Sequence, residues 1–301
     1  MELKYKAKKR KMTGFDIAII IILLLVVAVT LYPFLNVLAI SFNDAMDTVK
    51  GGLHIWPRKF TLQNYKEILE TGSKLPHAFL ISVLRTVVGT ALGVITTAMV
   101  AYCISREDFI FSKTVSVLFI LTMYIGGGMI PDYMLTKQLG LINTFSVYII
   151  PGLIWAYNVI LIRSFIDGLP GALQESARLD GANDVTIFFR IILPLCTPVI
   201  ATIALFIAVG QWNSWFDTYL YTRSKQSLST LQYELMKVMG NATANAKVDP
   251  HNQNLKTTAA STNPESIKRA ITIVTTVPIF MVYPFVQKYF VSGMTLGAVK
   301  S

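Results

Sequence analysis

Gln174, Glu175, Arg178, Asp180 and Gly181 lie in one short polar stretch and are spaced to act on another molecule. Pro170 suits the first turn of a helix, where its missing N–H leaves nothing unpaired. Leu173 and Ala177, with Ala172, give that helix one apolar face, while Gln174, Glu175 and Arg178 face elsewhere. Gly181 can take a positive φ and end the helix. Asn183 or Asp184 can then cap a second helix running to Arg190. The spacing predicts two short helices over 169–190, joined at a glycine and moving as a rigid body. Their chemistry is charge pairing: Glu175 meeting an arginine of a partner would make a strong, directional contact. Taken alone, the same residues also fit an ordinary solvated loop.

Covalent chemistry has no comparable signal. There is no G-x-x-x-x-G-K-[ST] run to cradle phosphates, so ATP hydrolysis is not expected of this chain. The three histidines, His54, His77 and His251, are scattered without metal-ligand spacing. Cys103 and Cys196 read as small apolar packing residues rather than a disulfide or a metal site. No catalytic residue, metal or cofactor is expected. A membrane enzyme acting on a lipid-linked sugar would need convergent carboxylates within its apolar segments, and none is apparent.

The elements that must hold these residues are apolar. Of 301 residues, 53% are hydrophobic and 15% charged, against about 25% charged in a soluble domain. The net charge of +10 would suggest nucleic acid in a soluble protein. Here Lys4, Lys6, Lys8, Lys9, Arg10 and Lys11 directly precede an apolar run, which fits a cytoplasmic anchor and excludes nucleic acid as the natural partner. That run, Ile17 to Ile40, is longer than the core of a signal peptide, so it reads as a retained first span.

Six apolar segments, 15–41, 78–104, 114–136, 144–166, 191–221 and 270–291, predict an all-α membrane protein with six spans and both termini in the cytoplasm. Segment 42–77 is too polar for lipid and is expected outside, with a short amphipathic helix over Leu62 to Leu69. The other large outer element is 222–269. Leu231, Leu235 and Val238 recur there at helical spacing and predict a helix from Leu228 to Val238. Asn241 to Asn263 has no periodicity and reads as a flexible loop.

Several polar residues fall in or near the spans. Arg85 lies about two turns into the second, where it can snorkel, pair with a neighbour, or line a path for an anionic solute. Asn158, Gln211, Asn213 and Asp217 can hydrogen-bond sugar hydroxyls or join helices to one another. Trp212, Trp215, Tyr219 and Tyr221 can stack on sugar rings or form an interfacial belt. Gly126 to Gly128 can unwind the third span or let helices pack closely.

Glu175-Ser176-Ala177, then Asp180-Gly181-Ala182, then Ile191, Leu193 and Pro194, resemble the cytoplasmic coupling motif of permease subunits in bacterial ABC importers, with Ser176 in place of the usual alanine. Tyr102, Ser105-Arg106, Met129-Ile130-Pro131, Leu139 to Thr144, Ile150-Pro151, Asn158, Leu169-Pro170 and Trp212 to Trp215 extend the resemblance to the carbohydrate-importer permeases, from about Thr61 to Lys300. Gly126 to Pro131 and Tyr283 to Phe290 resemble the subgroup importing complex saccharides such as alginate, aldouronate or pectic oligosaccharides.

The resemblance implies the type I importer permease fold. It implies a second related permease, two ATPase subunits that bind ATP and Mg, an extracytoplasmic solute-binding protein and a carbohydrate substrate. It also implies coupling to the ATPases by the 169–190 loop. The tail 292–301, with Gly293, Gly297 and Lys300, would reach between those subunits. The resemblance places an outer loop against the binding protein without matching any residue there; the helical spacing of Leu231, Leu235 and Val238 makes these the expected docking residues. An importer for another ligand, such as an oligopeptide, is the alternative within transport.

Overall fold

The computed structural model describes residues 13–69, 74–246 and 264–298, whose regular structure is helical apart from an isolated bridge between Asn43 and Phe60. The α-helices are α1 (Gly14–Ser41), α2 (Ala45–Thr48), α3 (Gln63–Leu69), α4 (Leu75–Ser105), α5 (Ser112–Tyr124), α6 (Met129–Gln138), α7 (Ala156–Ile166), α8 (Ala172–Leu179), α9 (Asp184–Ile187), α10 (Leu193–Leu195), α11 (Thr197–Asn213), α12 (Leu231–Ala246) and α13 (Pro264–Ala298). They fall into two compact units, one holding residues up to 68 with 264–273 and the other holding the rest.

In the first unit, Thr13 opens α1 with a capping box: its hydroxyl accepts from the Asp16 N–H, and the Asp16 carboxylate accepts from the Thr13 N–H. Most of α1 is exposed and apolar on every side, which requires lipid or another apolar surface around it. Beyond it lies a polar node. Buried Asn43 and exposed Arg58 both donate to the Asp47 carboxylate, at 3.1 and 2.9 Å. Those bonds, with Asn43's the larger influence, hold that carboxyl below its usual range. Asn64 on α3 donates to the Ser41 and Asn43 carbonyls at 2.9 and 3.0 Å. The short helix expected over 62–69 is present as α3.

The second unit is organised on α4. Its buried residues, among them Ala78, Ser82, Arg85, Gly89, Gly93, Thr97 and Ala101, recur every three or four positions and form one stripe. Ala98, Tyr102 and Ile104 of α4 share a core with Val159, Ile162 and Ile166 of α7 and with Val199, Ile203 and Ile207 of α11. Ala177, Ile187 and Phe188 join the same core, so the 169–190 loop is packed onto the helices.

Three expected spans are not single straight helices. Segment 114–136 is two helices, because the chain leaves helix over 125–128 and Gly128 takes φ +87°. Segment 144–166 is two 3-10 turns followed by α7, bent by 50°. Segment 191–221 includes an 84° bend between Asp184–Leu195 and α11. Pro151, Pro194 and Pro198 stand in first turns of the new pieces, where proline is accepted. Among the described residues, three helices are long and apolar enough to cross a bilayer, or up to five elements if each bent pair is one span. At about 1.5 Å per residue, α5 is too short to cross about 30 Å alone.

Two expected boundaries move. α12 runs to Ala246, so Asn241 to Ala246 are helical, in keeping with the high helix propensity of the alanines there. α13 continues to Ala298, so Gly293 and Gly297 lie on a helix rather than in a separate tail beginning at 292. The basic residues Lys4 to Lys11, the stretch 247–263 and Lys300 lie outside the described residues.

Asn64→Ala leaves two buried carbonyls without their donor. It is expected to lower stability by about 1–3 kcal/mol, read as a drop in the thermal midpoint of the detergent-purified protein.

Candidate functional site

Two places in the second unit bring polar groups together. The first is a cavity of about 600 Å³ beside α4 and α11. Ile207, Gly210, Gln211 and Ser214 line it because they share one face, at positions i, i+3, i+4 and i+7. Across from them stand Tyr148, Pro151, Trp155, Tyr157 and Asn158, from the broken segment before α7 and its first turn.

Arg85 is 2% exposed and lines this cavity. It does not snorkel. Its Nη2 donates to Asp217 Oδ2 at 2.5 Å and its Nη1 to Oδ1 at 3.2 Å. Nε and Nη2 donate to Gln211 Oε1 at 3.1 and 3.0 Å. The guanidinium also sits 4.4 Å from the centre of the Tyr148 ring. A buried charge is tolerable when it is paired and hydrogen-bonded in this way. Gln211 is held on its other side by donating to the Tyr148 carbonyl at 3.1 Å. Asn158 is 7% exposed, faces the cavity and has no side-chain hydrogen bond among the described residues. The cavity wall therefore combines aromatic faces with one free amide, and its single arginine is neutralised by its single aspartate.

Four of the expected path residues, Arg85, Asn158, Gln211 and Asp217, meet here. Asn213, Trp212 and Trp215 do not. They fall off the cavity stripe of α11. Trp212 is buried, packs edge-on to Phe79 at 5.9 Å, and donates its indole N–H to the Thr275 carbonyl at 2.8 Å. It is neither part of an exposed belt nor a lining residue of this cavity. Asn213 accepts from Gln232 Nε2 at 3.1 Å. Trp155 and Tyr157 escaped the sequence reading although they directly precede Asn158.

The second place is the 169–190 loop. α8 ends at Gly181, φ +80°, where the Gly181 and Ala182 N–H groups donate to the Arg178 and Ala177 carbonyls. Asn183 caps α9 by accepting from the Thr186 N–H at 2.8 Å. α9 does not stop at Arg190. It passes through a π-helical stretch, Phe188–Ile192, into α10, since nothing between 184 and 193 breaks a helix. Ala177 is buried, Ala182 and Leu193 pack on the core, and Ser176, Asp180 and Pro194 are exposed. A groove of about 580 Å³ separates α8 from the turn after α4. Glu175 and Glu107 both line it, exposed and without an ion pair among the described residues. The Glu107 carboxylate was not singled out from the sequence.

The expected docking residues of α12 are placed differently. Leu231 and Leu235 are 2% and 8% exposed, and Val238 is half-buried. The Leu231 N–H donates to Ser82 Oγ of α4 at 2.9 Å. Their helical spacing marks a face packed within the chain, so Leu231 and Leu235 are not free to meet a partner.

The family model for the binding-protein-dependent transport system inner membrane component matches residues 68–216. The chain is 36% identical over 289 residues to the polygalacturonan/rhamnogalacturonan transport system permease protein YtcP of Bacillus subtilis (strain 168), covering 95% of this chain and 98% of that one. It is similar, with a TM-score of 0.80 and 26% identity, to a chain of a bacterial ABC transporter involved in the import of the acidic polysaccharide alginate, covering 92% of this chain and 96% of the other. It shares the fold, at a TM-score of 0.57 and 14% identity, with a chain of a bacterial alginate ABC transporter in complex with alginate pentasaccharide-bound periplasmic protein, covering 90% and 92%.

Asp217→Asn leaves the buried Arg85 without its carboxylate, and Arg85→Gln leaves the partly buried Asp217 without its cation. Breaking a fully buried pair costs about 3–5 kcal/mol, and the cost here is lower because the Asp217 side chain is 21% exposed. The double variant is expected to be less destabilised than the sum of the two, as thermal midpoints of all three variants would show.

Proposed function

This chain belongs to the family of binding-protein-dependent transport system inner membrane components, and we propose that it is the permease subunit of an ATP-driven oligosaccharide importer. It is a non-catalytic membrane subunit of an ABC transporter. In this reading it forms half of the translocation pathway in a bacterial cytoplasmic membrane. Six spans put both termini in the cytoplasm. A second permease, two ATPase subunits and an extracytoplasmic solute-binding protein complete the assembly. The observation that most supports an oligosaccharide is the end-to-end similarity to a polygalacturonan/rhamnogalacturonan permease.

The 169–190 loop is the coupling element. Glu175 is exposed beside a groove and has no partner among the described residues, while Arg178 and Gln174 next to it are engaged. A carboxylate left free in this way is available to an arginine of an ATPase subunit. ATP-driven closure of that partner would carry α8 and α9 with it, and the packed helices with them.

The cavity supplies the sugar-facing wall. Trp155 and Tyr157 offer apolar faces to sugar rings, and Asn158 offers a hydroxyl partner. Because Arg85 is paired with Asp217, this wall presents no net charge to a uronate carboxylate.

The complex reconstituted in proteoliposomes, with oligogalacturonides as the first substrates tried, tests the reading. Glu175→Ala and Gly181→Pro are expected to insert normally and abolish uptake, the first by loss of a charge pair and the second by loss of the positive-φ turn. Normal uptake by Glu175→Ala would remove the coupling role. Trp155→Ala removes a largely exposed ring and should leave stability unchanged. It should slow uptake roughly 2- to 12-fold, the scale of a 0.5–1.5 kcal/mol ring contact. Unchanged uptake would take Trp155 off the path.

A further inference from the structure

Arg106 stands just beyond the end of α4, its side chain 10% exposed. Its Nε and Nη2 donate to the two Asp108 oxygens at 3.0 and 2.8 Å. Nη1 donates to the Tyr102 hydroxyl at 3.1 Å and to Gln174 Oε1 at 3.0 Å. Nη2 also lies 3.4 Å from Asp184 Oδ1. Arg178 closes the lattice, 2.8 Å from Asp108 Oδ2 and 3.4 Å from Asp184 Oδ1. Beneath these groups the Tyr102 ring meets Phe188 at 5.5 Å.

The contacts fall on both sides of Gly181. Gln174 and Arg178 belong to α8, before the glycine, and Asp184 belongs to α9, after it. A glycine at φ +80° with open space around it is a natural flexing point. One guanidinium therefore ties both arms of the hinge to the end of α4. The planar fork reaches acceptors in several directions at once, which a lysine ammonium cannot reproduce. The bonds from Arg106 hold the Asp108 carboxyl below its usual range.

We propose that Arg106 is a positioning residue that locks the Gly181 hinge and fixes both arms of the 169–190 loop to α4. Motion imposed on the loop then passes into α4 instead of being absorbed at the glycine. This rests on the coupling role of that loop.

The test uses the assembled complex, with Arg106→Gln, Arg106→Lys and Glu175→Ala side by side. Two quantities are read: the ratio of binding-protein-stimulated to basal ATPase activity, and the spread of spin-label distances between Ile110 and Val185, both exposed positions. Arg106→Gln should broaden the distances and lower the ratio roughly 2- to 30-fold, the range for positions that modulate coupling between sites. Arg106→Lys should not restore either. An assembled Arg106→Gln complex with the normal ratio and a narrow distribution would overturn the proposal. If Glu175→Ala alone lowers the ratio, the coupling role stands and the lock falls. If Glu175→Ala leaves the ratio unchanged, the coupling role falls, and the distances still decide the lock. Should Arg106→Gln fail to assemble, the double variant Gln174→Ala, Arg178→Gln cuts the lattice from the half-exposed side of α8. The same two readouts then decide: a lowered ratio with broadened distances supports the lock, and unchanged values overturn it.

Discussion

The close approach of α4 and α11 is the constraint on which the second unit depends. A Cβ on Gly89 would lie 2.8 Å from Gln211 Nε2, and one on Gly93 would lie 3.2 Å from Ile207 Cδ1. A side chain at 89 would displace the Gln211 amide from Arg85, and one at 93 would press on Ile207 of the same helix face. In a low-dielectric surrounding the pairing of Arg85 with Asp217 decides whether Arg85 can be buried at all. The same approach fixes the face of α11 that lines the cavity and turns Trp212 away from it.

α4 then links two chemically different ends. Arg85 near its start is spent on a neutral, paired wall, and Arg106 just past its end is spent on a lattice that grips α8 and α9. The 21 residue steps from one to the other span about 32 Å, close to the thickness of a bilayer's hydrocarbon core. Glycines at 89 and 93 would weaken such a rod in isolation. Packed against α11 and α7, it is stiffened from the side.

Much of the loop geometry was legible in the sequence because it is local. The glycine that must take a positive φ, a cap at Asn183 or Asp184 and the apolar Ala177 face each depend on a few neighbouring residues; the structure selects Asn183. The length and position of α3 were legible for the same reason. The breaks inside the apolar segments were not, because hydropathy is blind to whether a run is one helix or two, and a proline in a new first turn looks like one in mid-run. The partner of Arg85 lies 132 residues away, beyond any local signal. Period alone could have separated Gln211 from Trp212, since 207, 210, 211 and 214 share a stripe that 212 does not. For Leu231 and Leu235 the periodicity identified an apolar face correctly, but not whether it meets this chain or another.

The proposed lock requires α4 and the 169–190 loop to move as one body. Spin labels at Val87 on the exposed side of α4 and at Val185 beyond the hinge measure this directly in the assembled complex. Their distance should be the same in the nucleotide-free and ATP-trapped states, while the distance from Val185 to the second permease changes. A shift of several ångströms within this chain between the two states would mean that the loop moves apart from α4.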